Sequence, residues 1–279
     1  MRVDLLLSPF GRDVDELVTA ARTADDAAVR TVWVPDHFSG TIFGAEFTRH
    51  PFVCLGAMAA VTERVDLGIL VANMVNRHPV QLASAINSLQ SLAPGRIRLG
   101  LGSGAAPASR FAGEHEMIGR KLLPAGDRRS LLDDYLGALR AIWGRAPSHT
   151  SREFAMHDLA GIVDGAAAPP IVVGASSWPT IEVAARSADG VNLRRTRWLP
   201  DQLGRLRAER PDHSFEVSVL DNDTDLLDSA RSRGPGPWWA NELGRAGVDV
   251  RVVATPPITD SGELDRLLAA ATATSTGGR

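Results

Sequence analysis

Asp36 and His37 are adjacent residues that combine a carboxylate with an imidazole, two side chains suited to proton transfer near neutral pH. They follow the apolar run Thr31–Val34, which predicts a strand, so we expect them in the loop at its carboxyl end. From there His37 could donate a proton or a hydrogen bond to a substrate heteroatom. A structural histidine accounts for the same pattern equally well.

A glycine-rich turn, Gly100-x-Gly102-x-x-Ala105, formally matches the dinucleotide-binding fingerprint. Its context differs, because the turn follows the fourth strand candidate rather than opening a βαβ unit, and Pro107 interrupts the helix that should come next. A nicotinamide-binding Rossmann domain is therefore disfavoured. The glycines either let the strand end turn tightly or let a flat ring approach the backbone.

A second small-residue turn, Gly174–Ser177, precedes the helical run Pro179–Arg186. Exposed N–H groups at a helix start favour a phosphate group, and small side chains allow its close approach. A serine that caps the helix explains the turn as well. Further along, three arginines either meet the anionic tail of a cofactor or form a solvated basic loop, namely Arg194, Arg195 and Arg197.

Several other chemistries are disfavoured by residue type. Lys121 is the single lysine and lies well beyond the fourth strand candidate, which argues against a Schiff-base aldolase. The remaining histidines are scattered and form neither an H-x-H nor an H-E-x-x-H motif, so a metal-dependent hydrolase is not expected. Cys54 is the only cysteine, which excludes a disulfide within the chain and a cysteine zinc cluster.

The composition is that of a globular protein. The 279 residues are 44% hydrophobic, and 30 basic against 33 acidic residues leave a net charge of -3, so nothing indicates a nucleic-acid partner. The first ten residues do not resemble a signal peptide, and no run of 18 apolar residues predicts a membrane span. We expect one cytoplasmic domain over residues 1–279, with a frayed tail at 272–279.

Short β-branched runs alternate with longer amphipathic ones along the chain. The eight strand candidates are Val3–Leu7, Thr31–Val34, Val65–Ala72, Ile97–Leu101, Ile171–Val173, Gly190–Leu193, Phe215–Leu220 and Val248–Val253. A helical pattern follows each of them, which predicts an α/β fold of the (β/α)8 TIM-barrel type, with an open doubly wound sheet as the competing architecture.

In a barrel of this type the chemistry lies at the carboxyl ends of the strands. That rule selects Ser8, Asp36, His37, Asn73, Gly102–Ala106, Gly174–Ser177, Arg194, Asp221, Asn222 and Thr255. Five aromatic residues near these ends either shape an apolar pocket or belong to the core: Trp33, Phe38, Phe43, Trp178 and Trp198.

Five stretches, in this order, resemble the bacterial luciferase-like family, in particular its coenzyme F420-dependent oxidoreductases. The similarity covers about residues 1 to 200 and is carried by Val32–Phe38, Leu67–Ile69 with Asn76–Pro79, Gly95–Gly104, Pro170–Ala175 and Ala188–Asn192. The resemblance implies a TIM barrel, usually a homodimer, with F420 or alternatively FMN held in its mouth. It also implies a small-molecule substrate.

The resemblance further implies roles for individual residues. A non-proline cis peptide would fall near Leu70–Val71, and Asn73 would bond the polar edge of the ring. His37 would protonate or polarise the substrate, with Asp36 as its binding and catalytic partner. The residues that would border the ring or receive the phosphate are Gly102, Ser103, Gly104, Gly174, Ala175 and Ser176.

Two departures from the family pattern stand out. In the sugar-phosphate dehydrogenases of the family an acidic residue follows the glycine turn, and here Ala105 stands at that place in the motif. The loop after the seventh strand, Asp221–Thr224, is short and suggests an open mouth. These departures leave three hypotheses: an F420-dependent oxidoreductase acting on a small metabolite, an FMN-dependent monooxygenase, and a non-catalytic flavin-binding relative.

Overall fold

The computed structural model describes residues 1–211, 214–221 and 243–272, and its centre is a closed barrel of eight parallel strands. The strands are β1 (Arg2–Leu7), β2 (Thr31–Val34), β3 (Asp66–Asn73), β4 (Ile97–Gly102), β5 (Ser148–Thr150), β6 (Ala155–His157), β7 (Ile171–Ala175), β8 (Gly190–Arg194), β9 (Glu216–Asp221) and β10 (Val250–Thr255). β5 and β6 form a separate antiparallel hairpin, and the other eight close the barrel. All eight predicted strands are confirmed, with boundaries within two residues of those predicted, and the closed barrel excludes the open doubly wound sheet.

Helices connect the strands and cover the outside of the barrel. They are α1 (Val14–Asp26), α2 (Pro51–Ala59), α3 (Pro79–Leu92), α4 (Ala112–Met117), α5 (Ala125–Trp143), α6 (Trp178–Ser187), α7 (Leu199–Glu209) and α8 (Ser261–Thr272). Proline opens α2 and α3, where its missing N–H would have no helical partner in any case. Within the described residues no helix is long and apolar enough to cross a membrane.

Two segments predicted from the sequence, the tail and the short loop after the seventh strand, lie partly outside the described residues. The predicted frayed tail began at Thr272, which instead ends α8, and the rest of that tail lies outside the described residues. Of the short loop Asp221–Thr224, Asp221 ends β9 and residues 222–224 also lie outside them.

The amino-terminal half of the barrel interior is filled by Trp33 and by buried charges. The indole Nε1 of Trp33 donates to Oδ2 of Asp4 at 3.0 Å, and Arg98 pairs with Glu216 at 2.6 Å. Gly68 makes room for the indole, because a Cβ there would lie 2.5 Å from the ring. This packing fills the amino-terminal half of the barrel interior and leaves open space at the carboxyl ends of the strands.

Candidate active site

A cavity of about 330 Å³ opens at the carboxyl ends of the barrel strands. All eleven residues to which the family resemblance gives a role line it: Asp36, His37, Leu70, Val71, Asn73, Gly102, Ser103, Gly104, Gly174, Ala175 and Ser176. Of the other residues selected at strand ends, Ser8, Ser177, Asp221 and Thr255 do not line it, and Asn222 lies outside the described residues. Larger hollows of about 410 and 600 Å³ lie at the opposite end, but Arg30 and Glu216, which line both, are paired with each other at 2.9 Å. Barrel chemistry belongs to the carboxyl end, so the smaller cavity is the candidate site.

A carboxylate that sequence reasoning missed holds His37 in place. Glu114 of α4 places Oε2 2.7 Å from Nδ1 of His37, while its Oε1 accepts the backbone N–H groups of Phe38 and Ser39. Burial by itself would raise the pKa of Glu114. The bonds from His37 and the two amides outweigh burial and hold that pKa below its ordinary value.

Glu114 corrects the expectation that the site has no acidic residue after the glycine turn. Ala105 lines the cavity and carries no carboxyl group. The carboxylate comes instead from nine residues later in the chain, where α4 folds back against the loop that follows β2. The site therefore pairs an ionised carboxylate with a histidine.

Asp36 is fully buried and both of its oxygens are occupied. The guanidinium of Arg77 donates to both oxygens, at 2.8 Å for Oδ1, and the backbone N–H of Asn73 donates to Oδ2 at 2.9 Å. Arg77 is itself fixed, because its carbonyl accepts the hydroxyl of Tyr135 from α5. Asp36 thus ties the end of β2 to the end of β3, directly beside His37.

Val71 projects between the glycine-rich ends of two neighbouring strands. The peptide bond between Leu70 and Val71 is cis, at the position that the resemblance implied, and the register of β3 against β4 shifts there. A Cβ on Gly102 would lie 2.5 Å from one Val71 methyl, and a Cβ on Gly174 would lie 2.9 Å from the other. Both glycines are therefore needed to accommodate Val71, apart from any ligand.

The turn after β7 leads into α6 without a side-chain cap. The hydroxyl of Ser177 lies 3.1 Å from that of Thr180 and makes no bond to a helix amide. The capping interpretation of Gly174–Ser177 is thus not what the structure shows. In the first turn of α6, Pro179 has no N–H and the N–H of Thr180 donates to the carbonyl of Ser177 at 3.0 Å. The N–H of Trp178 has no partner among the described residues, so it is the helix amide that remains suited to an anion.

Arginine side chains bring positive charge to the cavity mouth. Arg128 and Arg194 line the cavity, and burial together with the nearby charge of Arg110 lowers the pKa of Arg194. Among the described residues none of these three forms an ion pair. Two of the arginines predicted from the sequence lie elsewhere, because Arg195 pairs with Asp221 and Arg197 stacks on Trp198.

Three phenylalanines surround the ring of His37. Its centroid lies 5.7 Å from Phe10, 4.9 Å from Phe43 and 5.3 Å from Phe111. Sequence reasoning had named only Phe43 among these. Of the other aromatics that it named, Trp33 belongs to the barrel interior, Phe38 contributes its backbone N–H, and Trp178 and Trp198 lie under arginines at the surface.

Named relatives of the chain are F420-dependent enzymes. It is 30% identical over 195 residues to an F420-dependent hydroxymycolic acid dehydrogenase of Mycobacterium tuberculosis, which is 67% of this chain and 51% of that one. It is also 30% identical over 177 residues to an F420-dependent glucose-6-phosphate dehydrogenase of Nakamurella multipartita, with 63% and 50% covered. The chain spans about half to two thirds of the length of the curated relatives it matches.

Solved structures share the fold along almost the whole chain. An F420-dependent secondary alcohol dehydrogenase in complex with an F420-acetone adduct superposes with a TM-score of 0.76 at 14% identity, covering 98% of this chain and 99% of that one. An EDTA monooxygenase from Chelativorans sp. BNC1 superposes with a TM-score of 0.73 at 13% identity, covering 97% and 93%. At such identities these likenesses establish the fold alone.

A family model settles the relationship. The model of the luciferase-like monooxygenase family matches residues 1–211, which include β1 to β8 and the elements that carry His37, Asn73 and Glu114. The chain belongs to the luciferase-like monooxygenase family.

Proposed function

We propose that the protein is an F420-dependent oxidoreductase that moves a hydride between the deazaflavin and a small organic substrate. The observation that carries this proposal is the pair of His37 and Glu114, which faces a cavity lined by Val71 and by the guanidinium groups of Arg128 and Arg194. The named relatives support the choice of cofactor. We also propose that the enzyme is a cytoplasmic homodimer, which light scattering of the purified protein would test for oligomeric state.

The residues of the cavity fit a flat, anionic cofactor. When bound, the deazaflavin supplies a ring carbon that accepts or gives up a hydride. Val71 offers a smooth apolar floor, and the turn Gly102–Gly104 lies beside it without bulky side chains. The uncapped start of α6 after Ser176, together with Arg194, suits the negative charge of a phosphate-bearing tail.

His37 is positioned to handle the proton that accompanies the hydride. Glu114 holds Nδ1–H of His37, so Nε2 is the basic nitrogen, and Nε2 has no hydrogen-bond partner among the described residues. In the oxidative direction Nε2 takes the proton of a substrate hydroxyl as the carbon loses its hydride, and in the reverse direction it returns that proton to a carbonyl oxygen. The ionised carboxylate of Glu114 stabilises the imidazolium that forms in between.

The remaining residues orient the pair and keep water away. Asp36 acts as a positioning residue, since Arg77 and Asn73 occupy its oxygens and leave it no free edge for proton transfer. Phe10, Phe43 and Phe111 exclude water from the His37 ring and offer an apolar surface to part of the substrate. Excluding water strengthens the electrostatic interaction between His37 and Glu114.

A parallel titration of the purified apoprotein with F420 and with FMN, followed by fluorescence, tests the cofactor. We expect binding of F420 with clear preference over FMN. Preference for FMN would favour the second hypothesis, an FMN-dependent monooxygenase. Binding of neither would refute the proposal.

A pair of histidine variants tests the chemistry. His37→Ala is expected to bind F420 as wild type does and to lose turnover, whereas His157→Ala, which alters an exposed histidine of the β5–β6 hairpin, should keep both. A His37→Ala enzyme that turns over at the wild-type rate would remove the proton-transfer assignment. F420 binding without turnover on any alcohol or carbonyl substrate would favour the non-catalytic relative.

A further inference from the structure

His115, next to Glu114 on α4, is a buried histidine that the proton-transfer scheme does not use. Only 1% of its surface is exposed, and it lies directly beneath the glycine turn after β4. Gly104 adopts a left-handed conformation at φ +79° there, and a Cβ on it would lie 3.1 Å from Cε1 of His115. A leucine could fill this buried position without the cost of burying a polar ring. The histidine is therefore expected to make hydrogen bonds that a leucine could not make.

The backbone fixes the protonation of this ring. The N–H of Ala105 points at Nε2 of His115 at 3.2 Å, and a backbone amide can only donate. Nε2 must therefore be an unprotonated acceptor, which places the hydrogen on Nδ1 and makes the ring neutral. Nδ1 is buried and has no hydrogen-bond partner among the described residues.

A second backbone amide fixes the neighbouring side chain of Asn73. The N–H of Val75 donates to Oδ1 of Asn73 at 3.0 Å, so the other end of the amide, Nδ2, is the atom that faces Nε2 of His115 at 3.1 Å. Nδ2 donates one hydrogen to His115. Its second hydrogen is left for the cavity, which Asn73 lines.

We propose that His115, as the neutral Nδ1–H tautomer, is a positioning residue that locks Asn73 as a hydrogen-bond donor toward the bound ring. The site then selects a ring whose edge presents an acceptor, a carbonyl oxygen or an unprotonated nitrogen, at Asn73. This inference rests on the proposed function for the identity of the ligand. We call the two hydrogen bonds that fix the Asn73 amide, from Val75 N–H to Oδ1 and from Nδ2 to His115, the lock. Both join residues of the chain, so the lock forms without the ligand.

Protonation of His115 breaks the lock, because an N–H on Nε2 would face two donors. The ionisable groups that act on the ring are Glu114 of its own helix and Arg128 of α5. Burial, with Arg128 acting in the same direction and Glu114 against it, lowers the pKa of His115. Asn73 and the turn Gly104–Ala105, which also touch the ring, do not titrate.

Nitrogen NMR of the apoprotein, with the histidines labelled with 15N, tests the lock without any cofactor. We expect His115, assigned by the loss of its signals in His115→Gln, to show a protonated Nδ1 and an unprotonated Nε2 at neutral pH, and to keep this state at pH values where an ordinary histidine begins to take up a proton. A proton on Nε2 at neutral pH would overturn the proposal. Because no ligand is present, this outcome does not depend on whether the cofactor assignment is right.

Fluorescence titration of F420 into three variants tests the consequence for binding. His115→Leu removes the acceptor and should weaken binding about tenfold, the size of one hydrogen bond. His115→Gln keeps an acceptor oxygen and should recover most of that loss, and Glu116→Gln, on the exposed side of α4, should bind as wild type does. Thermal melts without ligand verify that each variant is folded.

Two outcomes of the titration are decisive. Wild-type affinity in a folded His115→Leu variant refutes the positioning role, and so does a His115→Gln variant as weak as the leucine one. If wild type binds no F420, the proposed function fails instead, and the NMR experiment still decides the tautomer.

Discussion

Replacing Asp4 with asparagine is expected to make the folded protein more stable at neutral pH. Asp4 is fully buried at the amino-terminal end of the barrel, where Oδ2 accepts the Trp33 indole and Oδ1 has no partner among the described residues. Burial raises the pKa of Asp4 from 3.8 to about 6, although the Trp33 bond and the charges of Arg30 and Arg98 oppose the rise. The ionised carboxylate of Asp4 therefore lowers the free energy of unfolding.

The size of the effect follows from linkage. The folded state binds the Asp4 proton more tightly than the unfolded chain does, so the free energy of unfolding falls as pH rises from 3.8 to 6 and levels off above that. A pKa raised from 3.8 to about 6 corresponds to about 3 kcal/mol of stability lost at pH 7. Asparagine keeps an acceptor for the indole and carries no charge, so Asp4→Asn recovers that amount.

Urea unfolding of the apoprotein at several pH values measures the difference. We expect Asp4→Asn to unfold at a higher urea concentration than wild type at pH 7 to 8. The gap should narrow as pH falls and should close well below pH 3.8, where Asp4 is protonated in both states. Glu46→Gln, which alters an exposed carboxyl, is the matched control and should show no such trend. A constant gap at all pH values, or a less stable variant at pH 7, would refute the reasoning.

Three further predictions concern the cavity. Glu114→Gln should lower kcat about 100-fold with little change in cofactor affinity, because the histidine loses the carboxylate that stabilises its charged form. Gly102→Ala should cost about 1–3 kcal/mol in unfolding free energy, since its Cβ would lie 2.5 Å from a methyl of Val71. Arg194→Gln should weaken F420 binding about tenfold at low salt and less at high salt, as expected for a charge-assisted contact at a solvated mouth.

Each of these variants has its own control. Unchanged kcat in Glu114→Gln would show that His37 works without its partner. Adding Val71→Ala to Gly102→Ala should restore stability, and a double variant as unstable as the single one would contradict the steric reasoning. Arg197→Gln, which alters an arginine stacked on Trp198 rather than one that lines the cavity, should bind F420 as wild type does. Equal losses in both arginine variants would argue for a diffuse effect of charge.

The barrel could be predicted because each of its strands is indicated by a short stretch of adjacent residues. Each strand is a short β-branched run bounded by turn residues, and the parallel topology then places every carboxyl end at one mouth. Asp36, Asn73 and Gly102 come directly at or after strands, so counting along the sequence was enough to bring them to the same cavity.

Glu114 and His115 could not be found in this way. They lie twelve and thirteen residues beyond the end of β4, on a short helix whose return toward β2 depends on tertiary packing rather than on any periodic pattern. The one available signal was the run Glu114–His115–Glu116, an unusual concentration of ionisable side chains in a connection that follows a glycine turn. Phe10 and Phe111 could not be identified from the sequence for the same reason, since only the folded loops bring them to His37.

Helix α4 has a consequence for how two ligands would influence each other. Consecutive residues on this six-residue helix reach in different directions, Glu114 to His37, which we propose meets the substrate, and His115 to Asn73, which we propose meets the ring. Any displacement of α4 by one ligand is therefore transmitted to the binding surface of the other. Cofactor and substrate should bind with reciprocal cooperativity, each raising or lowering the affinity for the other by the same factor.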